Sequence, residues 1–186
     1  MADKKLTRDS IAAAALDLLN EQGLDQLSLR KLAARLDVKA PSLYWHVADK
    51  NALLALLAES VFVDCLARIA PVAHWRDWLC AFGLALWRAQ SDMRDAGRLI
   101  LMTTQDEAVL TRMEQAVVAP LTALGLSAPQ ALSMQASVQA LVTGWASFAQ
   151  GPNAAYLQAH MSIDAAFTQG LDALLRGFDR AVDPEN

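Results

Sequence analysis

The side chains with usable chemistry are unevenly placed. Every lysine, Lys4, Lys5, Lys31, Lys39 and Lys50, falls within the first 50 residues of a 186-residue chain, and Arg30, Arg35 and the run Leu43-Tyr44-Trp45-His46-Val47 stand among them. Ammonium and guanidinium groups neutralise phosphate, tyrosine and serine hydroxyls donate to phosphate oxygens, and arginine reads guanine through a bidentate pair. The net charge of −4 opposes nucleic-acid binding only if it is spread evenly. Here the N-terminal part is near neutral and the remainder acidic, as for a small DNA reader on an acidic body. Catalytic chemistry has no comparable cluster. Cys65 and Cys80 show no paired or metal-ligand spacing, and His46, His74 and His160 lie far apart. No histidine, cysteine or carboxylate forms a catalytic pattern, so the sequence argues against an enzyme, and neither metal nor cofactor is expected.

The elements that must hold the basic cluster are helices. Turn signals cut the chain into helical pieces and leave no alternating strand pattern with hairpin chemistry, so the fold class is all-α. Thr7 can cap a helix over 8 to 22, with Ile11, Ala15, Leu18 and Leu19 as its apolar stripe and Gly23 as its stop. Ser28 can cap a short second helix whose Leu29, Leu32, Ala33 and Leu36 face inward while Arg30, Lys31 and Arg35 face out. After a turn at Asp37-Val38, a third helix begins near Ala40, with Pro41 tolerated in its first turn, and ends at Trp45 or His46. Asp49 caps a long connector with apolar residues on most sides. Further helices are expected near 75 to 91, 95 to 103, 106 to 123, 128 to 149 and 163 to 181, punctuated by Gly125, Pro129 and Gly151-Pro152-Asn153.

Two short helices joined by a tight turn, the second preceded by basic residues, form a helix-turn-helix pattern. Ala33 is small where the helices must approach, and Leu43 is apolar where the second docks. Asp37 stands at a turn position where glycine is commonest, a mild departure because aspartate tolerates left-handed dihedrals. Together with Leu18-Leu19-Asn20-Glu21-Gln22-Gly23-Leu24 and Ser28-Leu29-Arg30-Lys31-Leu32-Ala33, the run Leu43-Tyr44-Trp45-His46-Val47 followed by Asp49-Lys50 and Leu53-Leu54 resembles the tetracycline-repressor (TetR) family of transcriptional regulators. The resemblance is strong over about the first 60 residues. It continues more weakly through Trp75, Asp77, Arg94-Asp95 and the segment from Phe167 to Phe178, and residues are missing between Gly151 and Ser162, which leaves the helix before the last one in doubt.

The resemblance implies a DNA-binding repressor acting as a homodimer on a palindromic operator. Tyr44, His46 and Lys50 would contact phosphates, while Ser28, Arg30, Lys39, Ala40, Pro41, Ser42 and Trp45 would lie on or beside the groove. For Tyr44 and Trp45 the alternative is that they cap the small core, and for His46 that it stabilises a helix C-terminus. Ala40 replaces a glutamine of the tetracycline repressors; it can touch a thymine methyl but cannot pair bidentately with adenine, so the operator should differ.

The ligand-binding half departs from that pattern. Where tetracycline repressors hold a magnesium–drug chelate, this chain has Leu66, Phe82, Ile100, Ala116 and Ala140, none able to ligate a metal. An effector, where one exists, is therefore expected to be apolar and metal-free, lined by Leu66, Phe82, Leu86, Ile100, Val117, Met134, Val138, Leu141 and Trp145; the alternative is that these merely fill a core. Residues 1-48 form the expected DNA-binding domain and 49-186 the connector, effector-binding and dimerisation domain. Self-association is expected through the helices near 128-149 and 163-181, aided by Ala131, Ala136, Ala140, Gly144 and Gly170, with Leu171 and Leu174 at the contact. With no N-terminal signal pattern, and with Glu59, Asp64 and Arg68 interrupting the apolar stretch from Leu53, the expected location is cytoplasmic, with no membrane partner. A helical protein-binding or DNA-associated module without an effector is the alternative function.

Overall fold

The computed structural model describes residues 6–182, and every secondary-structure element in that span is helical. Lys4 and Lys5 lie outside it. In order, the helices are α1 (Arg8–Gln22), α2 (Leu29–Leu36), α3 (Ala40–Tyr44), α4 (Lys50–Ala67), α5 (Trp75–Asp92), α6 (Ala96–Met102), α7 (Glu107–Ala123), α8 (Ala128–Gln150), α9 (Ala154–His160) and α10 (Ile163–Val182), with a 3₁₀ turn at Leu24–Gln26. The helix in doubt before the last one is present, as α9. Packing divides the chain into two compact units: residues up to Phe62 together with Met93–Gln105, and Val63–Asp92 together with Asp106 onward.

In the first unit, local chemistry sets each boundary. The Thr7 side chain accepts the Ser10 N–H and the Ser10 hydroxyl accepts the Thr7 N–H, a reciprocal cap with serine in the place usually taken by glutamate. Gly23 stops α1 at φ +81, and a Cβ there would come within 3.1 Å of both Arg94 Nε and Asp95 Oδ2. Ser28 Oγ accepts the Lys31 N–H at the start of α2, and Asp37 closes that helix in the left-handed conformation at φ 55, ψ 44. The Val38 N–H then reaches back to the Ala33 carbonyl, satisfying a carbonyl at the helix end. Asp49 Oδ1 accepts the Ala52 N–H at 2.8 Å and starts α4. Ile11, Leu19, Leu32, Leu43, Leu53, Leu57 and Leu99 fill the unit's core.

The second unit is built by close approach. Gly83 of α5 lies where a Cβ would meet Val138 of α8 at 3.0 Å and Leu171 of α10 at 3.1 Å, so these three helices pack with no room for even a methyl group. Phe82, Val138, Phe167 and Leu171 are almost fully buried. Trp87 stacks on Phe167 with ring centroids 4.5 Å apart and donates its indole N–H to Asp164 at 2.9 Å. Gln90 is fully buried and donates to Thr143 Oγ1 at 3.3 Å. No single described helix is long and apolar enough to cross a membrane.

Two sequence-level assignments change. Ala131 and Leu171 are 0 % and 1 % exposed within one protomer. They belong to its own core rather than to a surface left for a second copy.

Candidate nucleic-acid interface and effector sites

The packing of α2 on α3 leaves a row of side chains facing water. Lys39, Pro41, Ser42, Tyr44, Trp45 and His46 are exposed, while Leu43 and Val47 are buried and fix the segment to the unit. Trp45 is 89 % exposed and Tyr44 52 %, so neither serves as a lid on the small core. An indole held almost wholly in water costs hydrophobic free energy unless a partner covers it. Ala40 is half-buried at the start of α3, and Ser28, also half-buried, has its hydroxyl engaged as the α2 cap.

The basic groups divide by what already holds them. Arg35 makes a bidentate pair with Glu21, both contacts at 2.7 Å, and its guanidinium pKa is raised first by that hydrogen bond. Lys31 donates to Gln22 and Gln26, and Lys50 donates to the Leu24 carbonyl at 3.2 Å. Among the described residues the side chains of Arg30 and Lys39 make no hydrogen bond or ion pair and keep their full donor capacity.

One cluster has no local sequence signal of its role. The segment after α5 is tied to the end of α1: the Arg94 N–H donates to Asn20 Oδ1 at 3.0 Å, Asp95 Oδ2 accepts the Leu24 N–H at 2.8 Å, and Arg98 pairs with Asp25 at 3.0 Å. Asp95 is held at φ +58 to do so. These partners are about 70 residues apart in sequence, beyond the reach of any local pattern; Arg94-Asp95 stands out in the sequence only through the family resemblance.

The residues expected to line an effector pocket fall in several settings. Phe82, Leu86, Val117, Met134 and Val138 are buried core of the second unit. Leu66 lines a cleft of about 410 Å³ with Ile69, Val72, Trp78, Ala116, Pro120 and Leu124. Pro120 has no N–H, which leaves the Ala116 carbonyl without its ordinary helical donor. Leu141 and Trp145 are half-buried, placed 3.8 and 3.6 Å from the position a Gly170 Cβ would take, and Trp145 borders a separate groove beside α9. Ile100 is half-buried and belongs to the first unit. Among the described residues no group of three or more His, Cys, Asp or Glu could hold a metal ion. Burial, reinforced by Asp64, pushes the Cys65 thiol up to about 11, and burial likewise raises Cys80. Both are neutral thiols at pH 7, poor nucleophiles and poor metal ligands.

Residues 11–57, from the buried Ile11 to Leu57 of α4, match the family described as bacterial regulatory proteins, tetR family. The tetracycline repressor protein class G of Vibrio anguillarum is 33% identical over 95% of this chain and 95% of its own length. The chain belongs to the TetR family. Solved TetR structures agree over the same extent. TetR from Acinetobacter baumannii AYE superposes with a TM-score of 0.77 at 33% identity, covering 96% of this chain and 99% of that one. TetR class A in complex with 5a,6-anhydrotetracycline and magnesium gives 0.73 at 31%, covering 94% and 99%. As a TetR-family member the protein is a DNA-binding transcriptional regulator and not an enzyme, and its partners are operator DNA and a second copy of itself.

Proposed function

We propose that the protein is a cytoplasmic, ligand-released repressor that reads a palindromic operator through α3. The carrying observation is the row of exposed side chains on and beside α3, above all a tryptophan 89 % exposed next to Tyr44, together with the unpaired side chains of Lys39 and, on α2, Arg30. In this reading Trp45, Ala40, Pro41 and Ser42 face the groove, Arg30 and Lys39 supply the free cations, and Tyr44 and His46 approach phosphate. Lys50 holds Leu24 and contacts phosphate with its remaining donors. Two such helices, roughly 34 to 36 Å apart in the dimer, would engage successive major grooves. The test is selection of bound duplexes from a random pool, followed by salt-dependent affinities of variants. A palindromic consensus is expected. Lys39→Ala should weaken every sequence alike and lower the salt slope by about one for each phosphate that the lysine neutralises, whereas Trp45→Ala should change the ranking of sequences. Unchanged affinity and ranking in the double variant would overturn the reading.

The dimer surface proposed is the outer face of α8 and α10. Leu132, Ala136, Ala140, Gly144 and Phe148 recur at every fourth residue of α8 and are all exposed, and nothing approaches within 4 Å of where a Gly144 or Gly177 Cβ would stand. Small residues at helical spacing let two helices pack closely.

The effector proposed is an apolar, metal-free molecule held in the cleft at Leu66, Trp78 and Ala116, with the Ala116 carbonyl available to one donor. A ligand like the 5a,6-anhydrotetracycline and magnesium bound to TetR class A has no expected counterpart here, because the alkyl side chains of Leu66 and Ala116 offer no metal ligand. Tetracycline is not expected to release the operator. By linkage, release requires the effector to bind the DNA-free form more tightly than the DNA-bound form, by about 1 to 3 kcal/mol in systems of this kind.

A further inference from the structure

A second cavity shares no lining residue with the cleft or with the outer face of α8. It has a volume of about 440 Å³, within the range of small-molecule sites. Its floor is the face of α5 carrying Ala81, Leu84, Ala85 and Ala89, and its walls carry Asp64 and Arg68 at the end of α4 and Arg88 and Asp92 on α5. The trough exists because alanines recur on α5 where larger side chains would fill it.

The charges around it are not equivalent. Arg68 is matched by Asp64, with Nε at 2.9 Å and Nη2 at 2.8 Å from the same carboxylate oxygen. Among the described residues the Arg88 side chain makes no hydrogen bond or ion pair, although Asp92 stands one turn away on the same helix. A solvent-exposed pair at that spacing is too weak to keep the guanidinium from a better partner. A planar carboxylate satisfies two arginine N–H groups at once, and the alanine floor beside it offers apolar surface to whatever the carboxylate is attached to. Asp92 sets the limit on charge: it opposes a dianion such as a phosphate monoester more strongly than a single carboxylate.

We infer that this cavity is a binding site for an amphipathic monocarboxylate, its acid group on Arg88 and its apolar chain along Ala81, Leu84 and Ala85. The site is independent of the effector cleft, and either can stand without the other.

The probe is decanoate, titrated calorimetrically into the full-length homodimer below its micellar concentration, with decanol as the uncharged comparison. One decanoate per chain is expected, with decanol at least about tenfold weaker. Arg88→Gln alters an exposed side chain and should weaken decanoate about tenfold or more while leaving the melting temperature unchanged. Ala85→Trp should fill the trough and abolish binding, with circular dichroism reporting whether the chain stays folded. Ala116→Trp narrows the other cleft and should leave decanoate affinity unchanged. Absence of decanoate binding overturns the proposal, as does equal affinity in wild type and Arg88→Gln. Loss of binding in Ala116→Trp with retention in Ala85→Trp overturns it too, and would place the probe in the effector cleft.

Discussion

The two units are specified by different kinds of information. In the first, helices are bounded by side chains that act within a few residues of themselves: Thr7 and Ser28 as caps, Asp37 as a left-handed stop and Asp49 as the start of α4. In the second, helices of 17 to 23 residues such as α5, α7, α8 and α10 are placed by what they bury, and the decisive feature is a missing side chain, Gly83, beneath Val138 and Leu171. Locally written structure presents a fixed surface for reading a rigid duplex. Structure written by packing can be re-specified at its cavities without changing its helices, which suits a module whose ligand differs among relatives.

The comparison is most exposed to substitution at Leu171. Leu171→Ala should cost about 2 to 5 kcal/mol, because a leucine almost wholly buried against Gly83 leaves a cavity the surrounding helices cannot close. Leu174→Asp, at a half-buried position one helical step away, should instead release monomers with helical content retained. Urea denaturation at fixed protein concentration, paired with sedimentation, separates the two outcomes. Dissociation by Leu171→Ala without loss of protomer stability would show that the body is not packed as described.

Asp95 tests the first unit where its local code gives out. Asp95→Ala removes the acceptor of the Leu24 N–H and leaves that amide without a partner, at a cost of about 1 to 2 kcal/mol. Amide exchange at Leu24 should accelerate while exchange at Leu32 and Leu43 moves only with global stability. Ser28→Ala, which removes a cap over the exposed start of α2, is the local counterpart and should cost about 1 kcal/mol. Equal exchange at Leu24 in the wild type and Asp95→Ala would mean the long-range tie is not structural.

How much can be read from the sequence follows the same division. The caps, the Asp37 turn, the limits of α1 to α3 and the start of α4 are legible because serine, threonine, aspartate and glycine act on their own backbone neighbours. The exposure of Trp45 is not, since an aromatic at a helix end is equally suited to covering a core or to facing a partner, and only its surroundings decide. In the body, the limits of α5 to α8 and α10 are legible to within a residue or two, while α9 is not. Which apolar residues line a cavity is not: Phe82, Leu86, Val117, Met134 and Val138 share helical spacing and chemistry with Leu66, yet they are core and it borders the cleft. Periodicity marks the inward face of a helix and says nothing of whether that face meets another side chain or a space. Ala131 and Leu171 mislead for the same reason, small or apolar residues on helices with two buried sides. The tie from Asp95 to Leu24 is beyond reach because it joins residues 71 positions apart.

The smallest effect expected is electrostatic and confined to the first unit. Glu21 is held below its ordinary value chiefly by its hydrogen bonds from Arg35, and Asp25 chiefly by its hydrogen bonds from Arg98. A carboxyl group whose folded pKa lies below its unfolded one releases its proton more readily when folded. It therefore adds stability above the unfolded value, and that stability is lost as pH falls through the folded value. The relevant window is thus the acid limb below about pH 4, the ordinary range of carboxylates, and neutral pH should show no dependence from these pairs. Both pairs face solvent, so screening by salt should erase most of the effect. NMR titration of the side-chain carboxyls is the direct measurement. In Arg98→Ala the Asp25 value should return toward the ordinary range while Glu21 stays low; in Arg35→Ala the reverse should hold. An unchanged Asp25 in Arg98→Ala would remove the ion pair from the ties that hold the segment after α5 to the end of α1, leaving the Asp95 and Asn20 acceptors to carry that junction.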